Sequence, residues 1–156
     1  MRAVVPVYDE NGHYVIGCSG RTIYDWEPKW RHSKDFPSDS SLYNYWFAKE
    51  FIKKTKRVIL VESPGNVWRL EEAGVHNSVA LYGGNLSTTK QLLLDKLGVC
   101  DIIVATDNDE AGREHAEKII SECSRFYNIT TLKFDDKNDI ADMTVDEIKS
   151  LTKDLI

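Results

Sequence analysis

Three carboxylates follow apolar runs in this sequence, at positions suited to holding a metal ion. Asp107 and Asp109 come shortly after the apolar run 102–105, and Glu62 closes a second apolar run, 57–61. Both runs have the length and composition of buried strands, and open α/β sheets bind ligands where their strands end. Carboxylate oxygens are the ligands that Mg²⁺ prefers. The pattern therefore predicts a divalent-cation site built from Glu62, Asp107 and Asp109.

The acidic turn fits a calcium-binding loop or a nucleotide-binding strand less well. Gly112 stands at the sixth position of a calcium-binding EF-hand loop, but Ala111 and Lys118 occupy the fifth and twelfth positions, which must supply ligands. No phosphate-binding P-loop motif precedes the turn. A purely structural cluster would bring carboxylates together against their mutual repulsion, and it remains the weaker alternative.

The elements around these carboxylates alternate regularly between strand and helix. Four apolar runs predict strands at 58–61, 78–81, 102–105 and 129–134, and helical patterns separate them at 66–73, 87–97 and 111–124. Thr144 and Glu147 form a capping box that opens a last helix, to about residue 153. Short apolar strands that alternate with helices predict a parallel sheet covered on both faces.

The first part of the chain has a different character. Residues 2–8 and 14–16 alternate as strands around the tight turn Asn11-Gly12, and Gly17, Ser19 and Gly20 predict a bulge or a second turn before residues 21–23. Residues 25–39 look irregular, and 40–55 predict a linking helix. We therefore divide the chain into a small β-rich subdomain, 1–56, and a second domain, 57–156.

Charge is distributed unevenly between these parts. Residues 1–57 carry ten Lys and Arg against seven Asp and Glu, whereas the remainder carries ten against eighteen. In the irregular stretch, cations alternate with Trp26 and Trp30, an arrangement that grips phosphates while rings stack on bases. A surface loop pinned by tryptophans explains the same pattern.

Composition excludes several classes of protein. No apolar run is long enough to cross a membrane and no signal peptide opens the chain, so we expect a cytoplasmic protein without a membrane partner. The three cysteines lie far apart and form no C-x-x-C pair, and the four histidines lack ligand spacing. The sequence therefore predicts neither a disulfide framework nor a zinc site.

The acidic turn also resembles a known family. A glutamate that closes one strand, Asp107-x-Asp109 after a later strand, and Ala111-Gly112 at the start of the next helix resemble the TOPRIM domain of topoisomerases, bacterial-type DNA primases and some nucleases. The resemblance implies a TOPRIM-like α/β fold, in which a four-stranded parallel sheet is flanked by helices and a small β-rich annex precedes it.

The front end resembles one branch of that family. Residues Arg2-x-x-x-Pro6-Val7, Ile16-Gly17-x-x-Gly20-Arg21 and Pro28-Lys29-Trp30-x-x-Ser33 are similar to the subdomain before TOPRIM in bacterial and phage DNA primases. The resemblance implies Mg²⁺-dependent, DNA-templated synthesis of short RNA primers. It places Arg21 and Lys29 along the path of template and nucleotide. Further expected phosphate contacts are Arg31, Lys34 and Arg113.

The resemblance also implies roles for the acidic residues. Asp107 and Asp109 are expected to hold Mg²⁺, for which Mn²⁺ would substitute, and Glu62 either completes the site or acts as general base. The acidic pair Asp139 and Asp142 would extend the metal cluster. The simpler alternative for that pair is a polar loop before a helix cap.

The sequence departs from the family in ways that keep alternatives open. Asn66 and His32 stand where an aspartate and an asparagine are common, and neither a zinc ribbon nor a helicase-binding part is present. Expected partners are single-stranded DNA, nucleoside triphosphates, and a replicative helicase or a separate zinc module. A TOPRIM nuclease and a non-catalytic replication subunit remain alternative functions.

Overall fold

The first three strands form a small antiparallel sheet. The computed structural model describes residues 1–134 and 137–155, and it begins with β1 (Arg2–Tyr8), β2 (Val15–Thr22) and β3 (Trp30–His32), in the order β1-β2-β3. Pro6 lies on the edge strand β1, where a missing N–H donor is tolerated. The predicted turn is present between β1 and β2, with Gly12 at φ +73°.

Strand β2 is longer than the sequence predicts. It pairs with β1 in continuous register from Gly17 to Thr22, so the expected second turn within Gly17–Gly20 is absent. The register shifts once, from Val7–Gly17 to Tyr8–Val15, so the expected bulge is present one residue earlier, with Ile16 as the extra residue of β2. Gly17 is needed for a different reason. A Cβ at this position would lie 2.8 Å from the Phe36 ring.

Strand β3 falls inside the stretch that was expected to be irregular. Trp30 pairs with Arg21, so β3 extends the small sheet. The Arg2 guanidinium supports this arrangement by donating hydrogen bonds to the carbonyls of Gly20, Pro28 and Lys29, at 3.1, 2.9 and 3.0 Å respectively. Arg2 therefore fixes the backbone on which Lys29 is carried.

Helix α1 (Tyr45–Thr55) links the two sheets and is shorter than predicted. Tyr43 forms a bridge with Ala80, and Asn44 has a positive φ of 69°. Because both conformations are incompatible with a helix, α1 cannot begin at residue 40. Its residues Ala48 and Ile52 are fully buried.

The rest of the chain confirms the predicted α/β architecture. Its elements in chain order are β4 (Arg57–Val61), α2 (Pro64–Glu72), β5 (Ser78–Ala80), α3 (Thr88–Lys96), β6 (Asp101–Val104), α4 (Glu110–Cys123), β7 (Asn128–Thr131) and α5 (Val145–Thr152). The four strands form one parallel sheet in the order β5-β4-β6-β7. Ser87 caps α3 and the capping box at Thr144 opens α5, as predicted.

Both faces of this sheet are covered. On β4, Val58 and Leu60 belong to the core packed against α1, α3 and α4, whereas Ile59 and Val61 belong to the core packed against α2 and α5. A strand whose successive side chains are all buried is typical of a parallel sheet between helical layers. No helix within residues 1–134 and 137–155 has the length and apolar character needed to span a bilayer.

The structure adds two details after β7. This strand ends at Thr131 rather than at residue 134, and residues Ile140–Asp142 form a short 3-10 turn that was not predicted. The division at residues 56 and 57 stays a prediction, and Ile156, the last residue of the second part, lies outside the described residues.

A candidate active site between the two sheets

A cleft of about 330 Å³ lies where the carboxyl edge of the parallel sheet faces the small sheet. The parallel sheet supplies its acidic side and the small sheet its basic side. The lining residues relevant here are Arg21, Lys29, Trp30, Glu62, Asp107 and Asp139. The fold therefore brings together residues that are far apart in sequence.

Glu62 and Asp107 meet because their strands are neighbours. β4 and β6 run parallel in register, with Leu60 opposite Val104, so the residues that follow them lie side by side. The Asp107 backbone N–H donates to Glu62 Oε1 at 3.3 Å. The structure thus brings these two predicted site residues together at one sheet edge.

Asn66, which stands where the resemblance leads us to expect an aspartate, contacts the Asp107 carboxylate. Its Nδ2 donates to Asp107 Oδ1 at 3.3 Å, and its Oδ1 accepts from the Ser63 hydroxyl at 3.1 Å. The amide therefore supplies a donor at the place where a carboxylate would have added a further negative charge.

The surroundings of Asp107 raise the pKa of its carboxyl group. Burial raises the pKa of its carboxyl to about 6, and the charges of Glu62 and Asp139 add to this shift. The hydrogen bond from Asn66 opposes it, and Asp109 contributes a smaller increase. Although Arg21 and Lys29 line the same cleft, negative charge at Asp107 is costly unless a further cation binds beside its carboxylate.

Asp109 has a different position from the one expected. It is exposed, does not line the cleft, and caps α4 by accepting a hydrogen bond from the Gly112 N–H at 2.7 Å. Gly112 lies so close to the acidic turn that a Cβ would be 1.9 Å from the Asp107 carbonyl oxygen. The spacing of Asp109 and Gly112 therefore builds the turn that presents Asp107.

The second acidic pair is also divided. Asp139 lines the cleft, whereas Asp142 is exposed outside it and donates its backbone N–H to Asp139 Oδ1 at 3.1 Å. Burial raises the pKa of Asp139, with a further contribution from Asp142. Within residues 1–134 and 137–155, no three carboxylate, histidine or cysteine side chains form a compact metal-binding group. The five-carboxylate metal set stays a prediction.

The expected phosphate-binding cations separate into two groups. Arg21 and Lys29 line the cleft, and the Arg21 guanidinium lies 5.5 Å from the centre of the Trp30 ring. The other three are exposed and lie outside the lining of the cleft: Arg31, Lys34 and Arg113.

Aromatic contacts that no sequence pattern predicts join the two sheets. His32 stacks on Phe36 with ring centres 4.3 Å apart, and Phe36 meets the Tyr82 ring edge-on at 4.8 Å. Trp30 lies 5.9 Å from Trp68 of α2. These contacts hold the small sheet over the cleft.

Two further residues near the cleft were missed. Lys90 is buried and donates to the carbonyls of Leu81 and Asn85 at 2.6 and 3.0 Å, so it fixes the loop after β5 that lines the cleft. His115 lies on α4 with its Nδ1 3.3 Å from Glu62 Oε1. Neither belongs to a recognisable sequence motif.

The chain is similar to known proteins in sequence and in fold. The profile of the Toprim domain matches residues 56–133. DNA primase from Helicobacter pylori is 38% identical over 120 residues, which are 75% of this chain and 21% of that protein. DNA primase from Aquifex aeolicus is 36% identical over 123 residues, which are 76% of this chain and 24% of that protein. The chain thus spans only a minor part of these relatives.

Solved structures match almost the whole chain. The zinc-binding and RNA polymerase domains of Aquifex aeolicus primase superpose with a TM-score of 0.82 at 28% identity, over 98% of this chain and 40% of that one. The RNA polymerase domain of Mycobacterium tuberculosis primase shares the fold, with a TM-score of 0.83 at 22% identity, over 97% and 54%. Because the profile covers half of the sequence and the fold matches throughout, the chain belongs to the Toprim domain family.

Proposed function

We propose that this chain is the catalytic part of a bacterial- or phage-type DNA primase, a nucleotidyltransferase that makes short RNA primers on a DNA template. The observation that carries the proposal is the cleft itself, in which Glu62 and Asp107 face Arg21 and Lys29. The relatives named DNA primase support it. Two solved primase domains of the same fold, one in complex with double-stranded DNA and one bound to single-stranded DNA, support a nucleic-acid ligand.

The acidic side of the cleft fits a divalent cation. Mg²⁺ in nucleotide-transferring sites is commonly held by one or two carboxylates together with waters and substrate phosphates. Glu62 and Asp107, with Asp139 in the same cleft, provide such carboxylates. We propose Mg²⁺ as the cation, with Mn²⁺ able to replace it and no zinc. When bound, it would polarise the α-phosphate and stabilise the departing pyrophosphate.

Side chains of this protein would bind the phosphates and accept the proton of the attacking hydroxyl. Arg21 and Lys29 would bind phosphate oxygens, the arginine in a two-pronged contact. The primer 3′-oxygen forms a bond to the α-phosphorus while the bond to pyrophosphate breaks. Glu62 would either accept the proton of the 3′-hydroxyl or help to hold the cation.

The solved primase structures also bear on the partners of this protein. The Aquifex structure contains a zinc-binding domain in addition to the polymerase domain. We propose that a zinc module or a replicative helicase takes part in template recognition. The work would then take place in the cytoplasm, where bacterial or phage DNA replicates.

One gel tests the function. The reaction contains end-labelled single-stranded DNA and separately labelled nucleoside triphosphates with Mg²⁺ or Mn²⁺, and it compares wild type with Asp107→Asn. The control is Glu117→Gln, an exposed charge on α4 outside the cleft. We expect short labelled RNAs from wild type and the control, and a loss of at least about 100-fold in Asp107→Asn.

The remaining outcomes point to the alternative functions. Shortened DNA without RNA would replace the primase with a Toprim nuclease that uses the same carboxylates. If neither labelled RNA nor shortened DNA appears with the proposed partners added, the protein is a non-catalytic replication subunit. In that case the cleft would bind nucleic acid without turnover.

A further inference from the structure

We propose that His115 is a positioning residue that fixes the Glu62 carboxylate by donating a hydrogen bond from Nδ1. The activity and Mn²⁺-binding readouts of this inference rest on the proposed function, but its spectroscopic readout in metal-free protein does not. The primary observation is the 3.3 Å distance between His115 Nδ1 and Glu62 Oε1. Since a carboxylate only accepts, the histidine nitrogen facing it carries the proton.

Two donors converge on one oxygen of Glu62. The second is the Asp107 backbone N–H, also at 3.3 Å from Oε1. The last torsion of a glutamate side chain has broad, shallow minima, so an isolated carboxylate rotates freely. Donors from two different elements restrict that rotation and fix the direction in which the carboxylate faces the cleft.

The ring of His115 occupies space that is free only because residue 84 is a glycine. A Cβ on Gly84 would lie 1.7 to 2.1 Å from three ring atoms of His115. Gly84 is buried and is not among the glycines with positive φ, so its backbone conformation does not demand glycine. The space for the ring therefore explains the glycine, and Gly84 and His115 form a matched pair.

The helix that carries His115 is firmly attached to the acidic turn. Its cap is Asp109, and Gly112 touches the Asp107 backbone. His115 comes three residues after Gly112 and thus shares its face of α4. The histidine side chain is 34% exposed and that of Glu62 is 18% exposed, so their contact is partly sheltered from water.

Loss of a positioning partner weakens metal binding or activity by about 10- to 100-fold in known metal sites. We expect His115→Ala to bind Mn²⁺ about 10-fold more weakly than wild type and to lower kcat more than it raises KM for nucleotides. Free Mn²⁺, measured by electron paramagnetic resonance, reports the binding. Circular dichroism and thermal unfolding show that each variant is folded.

The decisive comparison uses the two amides that imitate different ring nitrogens. An asparagine nitrogen occupies roughly the place of Nδ1, whereas a glutamine nitrogen imitates Nε2. We expect His115→Asn to retain Mn²⁺ affinity within about 3-fold and His115→Gln to resemble the alanine variant. The control is His13→Ala, which removes an exposed histidine outside the cleft. Equal behaviour of the two amide variants would overturn the proposal.

A second variant tests the matched pair of Gly84 and His115, and a second measurement tests the hydrogen bond without metal. Gly84→Ala leaves His115 in the sequence but displaces its ring, and we expect it to weaken Mn²⁺ binding as His115→Ala does. In metal-free protein, the ¹⁵N signals of the His115 ring should show a protonated Nδ1 whose shift changes in Glu62→Gln. An unchanged signal would overturn the inference even if primers are made. A changed signal without primer synthesis would retain the inference and reject the function.

Discussion

The carboxyl group of Asp107 combines a cost in stability with a proposed role in cation binding. Its pKa lies at about 6, instead of the ordinary 3.8, because burial and two neighbouring carboxylates disfavour its charge. Between these values the folded protein holds a proton that the unfolded chain has released. The free energy of unfolding therefore decreases as pH rises through this window, and the full penalty is present above it.

Asp107→Asn removes that penalty and should stabilise the protein in the absence of divalent cations. At about pH 7.5 we expect the variant to be more stable by about 1–2 kcal/mol, or a few degrees in Tm. At about pH 4.5 the difference should fall to about a third, because Asp107 is then protonated in the folded protein while most of the unfolded chain is still ionised there. Thermal unfolding in a chelating buffer at both pH values measures the effect.

Addition of Mn²⁺ should reverse the order of stability. A cation that binds the folded protein stabilises it against unfolding. Wild type should therefore gain stability with rising Mn²⁺ concentration, whereas Asp107→Asn gains little. Glu117→Gln, which changes an exposed carboxylate of α4, should follow wild type throughout. If Asp107→Asn were less stable than wild type at neutral pH without metal, the charged Asp107 carboxylate would carry no such penalty.

At the same scale, the location of some residues was easier to predict than their contacts. Glu62 and Asp107 were expected to meet because the ends of neighbouring parallel strands share an edge, and the structure brings them within hydrogen-bonding distance. Asp109 was expected beside them, but the same spacing also suits a helix cap, which is the role it has in the structure. The contact of His115 with Glu62 spans 53 residues, and no local pattern signals it.

At the scale of elements, periodic patterns predicted most strands and helix caps correctly. The elements that differ from the prediction are those whose ends depend on long-range contacts. The buried strands and the caps of α3 and α5 follow from apolar runs and capping residues. Helix α1 starts late because Tyr43 pairs with Ala80 of a distant strand. Strand β3 forms because the edge of β2 is free to pair with it. The sequence of three residues alone does not predict this pairing.

The turn between β6 and α4 should not tolerate a side chain at Gly112. In Gly112→Ala the new methyl group would meet the Asp107 carbonyl oxygen at 1.9 Å, a backbone atom that cannot move without displacing the acidic turn. We expect a loss of at least about 2 kcal/mol in the free energy of unfolding, together with weakened Mn²⁺ binding. Urea unfolding measures the first effect and paramagnetic resonance the second.

A change in the same turn provides the control. Ala111 is exposed in the first turn of α4, so Ala111→Gly should cost only about 1 kcal/mol, through helix propensity, and leave Mn²⁺ binding intact. If Gly112→Ala were as mild as this control, the close approach of α4 to Asp107 would not be what requires the glycine.

At the scale of the whole molecule, the cleft exists only because two sheets of different charge face each other. The small sheet brings cations, the parallel sheet brings carboxylates, and the aromatic contacts of Phe36 with Tyr82 and of Trp30 with Trp68 hold them together. A nucleic acid strand that enters the cleft would place its phosphates on the basic side. Its affinity should then depend on salt in proportion to the phosphates neutralised there.

The salt dependence of single-stranded DNA binding tells the cleft apart from the general basic surface. Removing two phosphate contacts with Arg21→Ala and Lys29→Ala together should make the slope of log affinity against log salt shallower by about 1.4. Arg31→Ala with Lys34→Ala removes the same charge from exposed positions outside the cleft and should leave that slope nearly unchanged. Fluorescence anisotropy of a labelled oligonucleotide over a salt series measures both. Equal slopes for the two double variants would mean that DNA follows the outer surface of the small sheet, away from the carboxylates.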